Sequence, residues 1–275
     1  MGVDHYENFP VASLLLPAGW RHPVAAIYRF ARQADDFADE GDDPRDVRLA
    51  RLAQFGRRLD EIASGATPPD PLFNDLARVV RRHELPVQPF RDLLDAFSQD
   101  VVKTRYANLG EVLDYCRRSA NPVGRLLLHL FGAATDDNLA RSDSVCSALQ
   151  LVNFWQDIEL DYARGRIYLP ADEMARFGVT EAHIVERRCD AAWQALIGFQ
   201  VERARSMLLA GAPLGCRLPG RIGLEIRATV EGALRILEKL QRAGFDMFRH
   251  RPVLRWFDWP LILTRALTKR RSVAG

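Results

Sequence analysis

The stretch QLVNFWQDIELDYARGRIYLP, residues 150–170, decides how this chain is read. The spacing predicts a helix over 142–163. In such a helix Asn153, Asp157 and Asp161 stand four residues apart and stack on one face. Leu149, Val152, Trp155, Ile158 and Leu160 surround that stripe with apolar surface. Two carboxylates on one helix face repel, at about 0.2–0.5 kcal/mol per like pair. A face that only met water would more often alternate its charges. Carboxylate and amide oxygens in a row suit a hard cation such as Mg²⁺, which keeps several waters and bridges to phosphate groups.

The stripe has a counterpart about 120 residues earlier. In RFARQADDFADE, Asp35, Asp36, Asp39 and Glu40 repeat the four-residue spacing. Arg32 lies one turn before Asp35, and Tyr28 one turn before Arg32. Two acidic helices facing one cavity could hold metal ions against a diphosphate.

Composition limits the alternatives. A hydrophobic fraction of 48% and a charged fraction of 27% describe a globular chain able to bury a large core. The 38 basic and 36 acidic side chains leave a net charge of +2, too even a balance to argue for a nucleic-acid partner. Cys116, Cys146, Cys189 and Cys216 have no metal-type spacing and read as buried free thiols in a reducing compartment. The N-terminus lacks a signal-peptide pattern, and no apolar run reaches the ~20 residues that span a bilayer. The expected location is cytoplasmic, with peripheral association on the inner face of the membrane left open.

In chain order, residues 1–22 form a lead-in in which His5 and Phe9 stand out. On the residues alone, His5 reads as a surface side chain near a frayed end. Pro23 suits the first position of a helix running to about residue 40. Further helices are expected over 45–64, 71–83 (capped by Asp70), 87–105, 110–133, 180–209, 219–242 and 252–268. Pro122 and Gly124 inside 110–133 predict a break, either a packing kink or backbone opened toward a cavity. Gly165 suits the end of the acidic helix, and Arg164 and Arg166 follow it as cations available to phosphate. The stretch 252–267 sets Trp256, Phe257 and Trp259 among arginines. It reads first as a helix packed on the domain, with an anionic membrane surface as the alternative. With no period-2 strands, no nucleotide-type glycine loop and no repeat beyond the acid motifs, the chain reads as all-α and as one domain.

An all-α di-iron carboxylate bundle also has inward acids, but it wants Glu-x-x-His pairs. None of the six histidines has Glu three residues before it. A non-catalytic helical scaffold explains the acids but not Asn153 or the apolar residues beside them.

The motifs YRFARQADDFADE (28–40), DVVKTRY (100–106), YCRRSANPVG (115–124) and NFWQDIELDYARGRIYLP (153–170) together resemble the squalene/phytoene synthase family, from His5 to about residue 265. ENFPVAS (7–13), SANPVG (119–124) and NFWQD (153–157) are most similar to its bacterial hydroxysqualene synthases of hopanoid biosynthesis. The resemblance implies a single isoprenoid-synthase domain over 1–275, with 252–275 as its C-terminal helix and tail. Helices would surround a central hydrophobic cavity. It implies that Asp35, Asp36, Asp39, Asn153, Asp157 and Asp161 hold Mg²⁺ and through it a prenyl diphosphate. Tyr28, Arg32, Gln150 and Arg166 fall where the diphosphate or metal cluster is contacted, and His5 and Phe9 near the substrate. The catalytic set would be Tyr28, Arg32, Asp35, Asp39, Asp157 and Asp161. The implied reaction turns presqualene diphosphate into hydroxysqualene. A presqualene diphosphate synthase would act before it and a squalene-forming oxidoreductase after it. A condensing prenyltransferase shares the same acid motifs and remains the alternative. Two departures stand out. Gln156 replaces the Arg that many relatives carry before the second motif's first Asp, and Arg117–Arg118 with Asn121–Pro122 replace residues that include Tyr or His.

Overall fold

The structure, a computed structural model, describes residues 16–39 and 43–272, with side chains as far as 268. His5, Phe9 and Glu40 therefore lie outside the described residues.

Among the described residues fourteen α-helices follow in order. They are α1 (Ala18–Asp39), α2 (Arg45–Ala63), α3 (Pro71–Arg82), α4 (Gln88–Asp100), α5 (Leu109–Ser119), α6 (Asn121–Leu130) and α7 (Asp136–Gln156). Then come α8 (Ile158–Ala163), α9 (Ala171–Arg176), α10 (Glu181–Val185), α11 (Ala191–Gly211), α12 (Leu214–Arg217), α13 (Gly220–Arg242) and α14 (Trp259–Ser272). Among the described residues the only strand-like pairing is one isolated bridge between Arg105 and Ile167. The all-α reading therefore holds.

Local chemistry explains most boundaries. Asp70 caps α3 by accepting from Leu72 N at 2.9 Å and Phe73 N at 3.3 Å, and Pro71 fills the first position. Asn108 caps α5 through Glu111 N at 3.1 Å. The predicted break falls at Ala120, and Pro122 sits in the first turn of α6, where a missing N–H costs little.

Several expectations need correction. Helix α1 starts at Ala18, so Pro23 lies inside it; Pro17 opens the helix instead, its carbonyl accepting from Trp20 N at 3.0 Å. Helix α4 ends at Asp100 rather than 105, because residues 104–106 run extended to pair with 167, Thr104 O accepting from Ile167 N at 3.0 Å. The helix expected over 142–163 begins at Asp136, capped by Thr135, and is interrupted at Asp157. The stretch 180–209 is two helices, since Asp190 caps a new one through Trp193 N at 3.0 Å. The last helix starts at Trp259, after a 3₁₀ turn at Trp256–Asp258. Of the cysteines, Cys116 alone is buried; the other three are half-buried.

Among the described residues two large hydrophobic cores result, with a small third cluster of Leu128, Leu214 and Leu218. One joins α1 to α4 around Phe30, whose ring meets Phe90 edge-on at 5.3 Å between centroids. The other joins α5, α7, α11 and α13 around the fully buried Trp155 and Trp193. Full burial of one such side chain contributes about 1.5–3 kcal/mol. Phe154 and Trp155 both belong to this second core. A cavity of about 540 Å³ opens between the two large cores, lined by apolar residues of each, including Ile27 and Phe97 from one and Val145 and Leu149 from the other, with Ile226 of α13 beside them.

Candidate active site

Helices α1 and α7 bring the first elements of both acid motifs to that cavity. Tyr28, Arg32 and Asp35 from α1 line it together with Gln150, Asn153 and Asp157 from the end of α7. Asp36 faces the other side of α1, in an outer groove of about 640 Å³ with Arg29 and Asp75. Asp39 and Asp161 sit beside this cluster rather than in the cavity wall.

The interruption at Asp157 does not scatter the second motif. Asp157 N still donates to Asn153 O at 2.9 Å, and Asp161 N to Asp157 O at 2.8 Å. The stripe thus continues through the bend. Gly165, at φ +80°, then ends α8. Arg166 N donates to Asp161 O at 2.8 Å and Gly165 N to Tyr162 O at 2.8 Å, the paired bonds of a Schellman ending. That turn sends Arg164 and Arg166 back toward α1. Arg166 Nη1 lies 2.7 Å from Asp39 Oδ1, and Arg164 Nη1 lies 3.3 Å from Asp39 Oδ2. Asp39 and Arg166, 127 positions apart since 166 less 39 is 127, are thereby tied.

Each motif is balanced by arginine. Arg32 lies 3.5 Å from Asp35 and 2.8 Å from Asp36. Arg251 Nε donates to Asp157 Oδ1 at 2.6 Å, and Gln156 donates to Pro252 O just beside it. Gln156 is buried, so the departure noted in the sequence fixes the 251–252 segment over the second motif. Behind the acids lies the buried Asp100. It accepts from Tyr115 Oη at 2.5 Å and from Tyr168 Oη at 3.1 Å. Tyr168 also stacks on Phe154 at 3.8 Å.

The electrostatics record how crowded these carboxylates are. Burial first, then the charge of Asp39, pushes Asp35 up to about 7. Burial first, then Asp157, pushes Asp161 up to about 7, against the opposing pull of Arg164 and Arg166. Burial pushes Asp100 up to about 6. Asp39 contributes to all three shifts, so acids from both motifs share one field.

The donor set is carboxylate and amide oxygen, the chemistry of a hard cation. Asp39 Oδ1 is closed to solvent and has no aligned hydrogen bond, although Arg166 is near. That atom fits a site for further positive charge. Among the described residues no three acids, histidines or cysteines already stand together as an ion cage. Arginines stand between the carboxylates.

A pH dependence follows. Asp35 and Asp161 ordinarily titrate near 3.8 but near 7 in the fold. The folded chain then holds more protons than the unfolded one between those values, so its stability falls as pH rises through about 7. A divalent ion held by these carboxylates would relieve that cost and release the protons. The rise in Tm on adding Mg²⁺ with inorganic diphosphate is expected to be larger at pH 8 than at pH 5, by differential scanning fluorimetry. An equal rise at both would contradict the crowding.

The squalene/phytoene synthase sequence profile matches residues 3–258. The chain belongs to the squalene/phytoene synthase family. It is 37% identical over 238 residues to a hydroxysqualene synthase of Rhodopseudomonas palustris, covering 86% of this chain and 80% of that protein. It is 30% identical over 261 residues to a 15-cis-phytoene synthase of Synechococcus elongatus, covering 89% and 83%. Among solved structures, squalene synthase HpnC from Alicyclobacillus acidocaldarius superposes with a TM-score of 0.81 at 36% identity, covering 88% of this chain and 90% of that one. A dehydrosqualene synthase shares the fold, with a TM-score of 0.85 at 24% identity. The fold is therefore the all-α isoprenoid synthase fold of this family, in one domain.

Sequence reasoning missed Asp100 and Arg251 as members of this site. DVVKTRY marked the segment of Asp100, but its tyrosine partners come from α5 and from residue 168. Arg251 lies in an irregular segment with no spacing to mark it. Arg166, expected at the substrate, is buried behind the first motif and braces Asp39 and Ala38 O.

Proposed function

We propose that this protein is a Mg²⁺-dependent hydroxysqualene synthase, acting on presqualene diphosphate in squalene and hopanoid biosynthesis. The observation that carries the reading is one largely apolar chamber lined by both Asp35 and Asp157. Asp35, Asp39, Asn153, Asp157 and Asp161 are the proposed metal ligands, whereas Asp36, on the outer side of α1, is left out of the set. Bound Mg²⁺ would supply charge stabilisation for a leaving diphosphate. Arg32, beside Asp35, and Arg251, beside Asp157, are the cations that turn from carboxylate to diphosphate when the ions enter. Tyr28 and Gln150 also line the chamber, and their proposed role is to orient the diphosphate by hydrogen bonds. His5 and Phe9 stay assigned near the substrate by resemblance alone.

The carbon–oxygen bond breaks with its electron pair leaving on the diphosphate. The apolar wall holds the resulting cation away from bulk water. One water then adds, and its proton leaves with the diphosphate. The chain is read as one domain over 1–275, with the lead-in ending before α1 at Ala18 rather than at residue 22, and with 252–275 as the C-terminal segment that carries α14. The substrate must come from a presqualene diphosphate synthase, and the alcohol must go to a reductive enzyme that forms squalene.

A condensing prenyltransferase is the second reading, favoured by the likeness to phytoene synthase. Incubating the protein with Mg²⁺ and either farnesyl diphosphate or presqualene diphosphate, without nicotinamide, separates the two. The alcohol from presqualene diphosphate is the expected product. Turnover of farnesyl diphosphate alone supports the condensing reading instead.

Long hydrocarbon substrates favour a membrane-facing mouth. No helix of the described residues is long and apolar enough to cross a membrane. Leu254 and Ile262 are buried, whereas Trp256 is 83% and Phe257 49% exposed next to Arg255. Peripheral binding through these rings, on the cytoplasmic face, is proposed. Trp256→Ser is expected to lower co-sedimentation with anionic vesicles; an unchanged bound fraction contradicts this contact.

A further inference from the structure

The break between α5 and α6 brings one uncommitted hydroxyl to the chamber wall. Tyr115, Ser119, Ala120, Val123 and Gly124 all line the cavity. Ser119 is the last residue of α5 and lies one turn after Tyr115, so the two side chains share a helix face. Gly124 makes room beside them: a Cβ there would strike the side chains of Ser142 and Cys146 on α7. Helices α6 and α7 therefore approach closely beside the break.

Ser119 Oγ is buried and has no hydrogen-bond partner among the described residues. A buried hydroxyl left unpaired is costly to the fold. The neighbouring polar groups are occupied. Tyr115 Oη donates to Asp100 at 2.5 Å, Ser142 Oγ lies 3.9 Å from Cys146 Sγ, and Asn121 Oδ1 accepts from Ser147 Oγ at 2.8 Å. A single neutral hydroxyl is a poor site for a diphosphate, but it can both donate to and accept from one water. The turn before it carries Tyr115, whose ring lies 5.6 Å from Tyr168 and 6.0 Å from Phe154. Aromatic faces attract a cation. Ser119 thus lies one turn from Tyr115, an aromatic residue of the cavity wall.

We propose that Ser119 holds the water that captures the carbocation, an inference that rests on the function proposed above. Ionisation breaks the carbon–oxygen bond, and the electron pair leaves on the diphosphate. The cyclopropylcarbinyl cation opens its ring, and a lone pair of the held water forms the new carbon–oxygen bond. The proton of the resulting oxonium goes to an oxygen of the departed diphosphate. Without a held water, the same cation instead loses a proton from carbon to the diphosphate and gives a hydrocarbon. Ser119 is a positioning residue, so its signature is the partition between products rather than the rate of ionisation.

The test compares wild type, Ser119→Ala and Ser119→Thr on presqualene diphosphate with Mg²⁺, measuring alcohol, hydrocarbon and released diphosphate. Ser119→Ala is expected to lower the ratio of alcohol to hydrocarbon about fivefold, the scale of one hydrogen bond, with diphosphate release less affected. Ser119→Thr, which keeps the hydroxyl, is expected to keep the alcohol. An unchanged ratio in Ser119→Ala, from a wild type that makes the alcohol, overturns the role of Ser119 and leaves the function intact. A wild type that makes no alcohol overturns both. A crystal structure with Mg²⁺ and inorganic diphosphate gives a readout independent of turnover. A water hydrogen-bonded to Ser119 Oγ is expected in wild type and not in Ser119→Ala; a dry Ser119 in wild type overturns the proposal.

Discussion

Replacing Asp161 with asparagine is expected to cut turnover by about 10²–10³-fold while raising the thermal stability of the metal-free protein at pH 8. Both effects have one cause. Burial and the charge of Asp157 hold the Asp161 carboxyl up at about 7, so at pH 8 it is ionised at a cost to the fold. Asparagine removes that cost together with one oxygen charge from the second motif. The sign can be checked with pH. At pH 5 the wild-type carboxyl is largely protonated, so the stability gain of Asp161→Asn should nearly vanish there. Fluorimetric melting at the two pH values, with diphosphate release at pH 8, measures both halves. A structural acid would give the opposite pattern, with lost stability at pH 8 and activity falling only as far as the fold does. Stability gained on loss of activity is the mark of a site kept under strain for function.

The second large effect is expected at Arg166. Its side chain is 8% exposed and lies 2.7 Å from Asp39, with Ala38 O accepting from it at 3.3 Å. It also opposes the upward push on Asp100. Removing one partner of a buried pair costs about 3–5 kcal/mol, because the remaining charge is stranded. For a chain of this size that is a loss of roughly 6–15 °C in Tm for Arg166→Ala. Arg166→Lys should recover only part, since one ammonium lacks the planar fork that meets both Asp39 and the Ala38 carbonyl. Adding Asp39→Asn to Arg166→Ala should restore some of the lost stability. Strictly additive losses in that double-mutant cycle would show that the two side chains are not coupled.

These two positions also mark how far the sequence could be read. The helical fold was legible because its punctuation is local. Asp70 before Pro71, Asn108 before α5 and Gly165 after α8 act through bonds to the next few residues. The break near Pro122 follows from a missing N–H and needs no tertiary contact. The paired acid motifs were legible because the four-residue spacing puts oxygens on one face wherever a helix forms. The interruption at Asp157 was not, since the backbone bonds that preserve the stripe continue through it. Nor was the end of α4, which is set by pairing of Thr104 with Ile167 across the chain. Asp100 was hidden for the same reason. Its meaning depends on Tyr115 and Tyr168, which reach it from different elements, and on an arginine 66 positions later, since 166 less 100 is 66. Arg166 itself was visible as a cation after an acidic stripe. Its burial against the first motif could come only from the turn at Gly165.

The central claim is that acids from two distant segments act together on one diphosphate in an apolar chamber. The most direct measurement is a crystal structure of the protein with Mg²⁺ and a non-ionisable thio analogue of the prenyl diphosphate. The expected result has ions bridging the diphosphate to Asp35 and Asp39 on one side and to Asn153, Asp157 and Asp161 on the other. Arg251 should then have left Asp157 for the diphosphate. An analogue bound with its ions on one motif only, or outside the chamber while Arg251 remains on Asp157, would contradict the account.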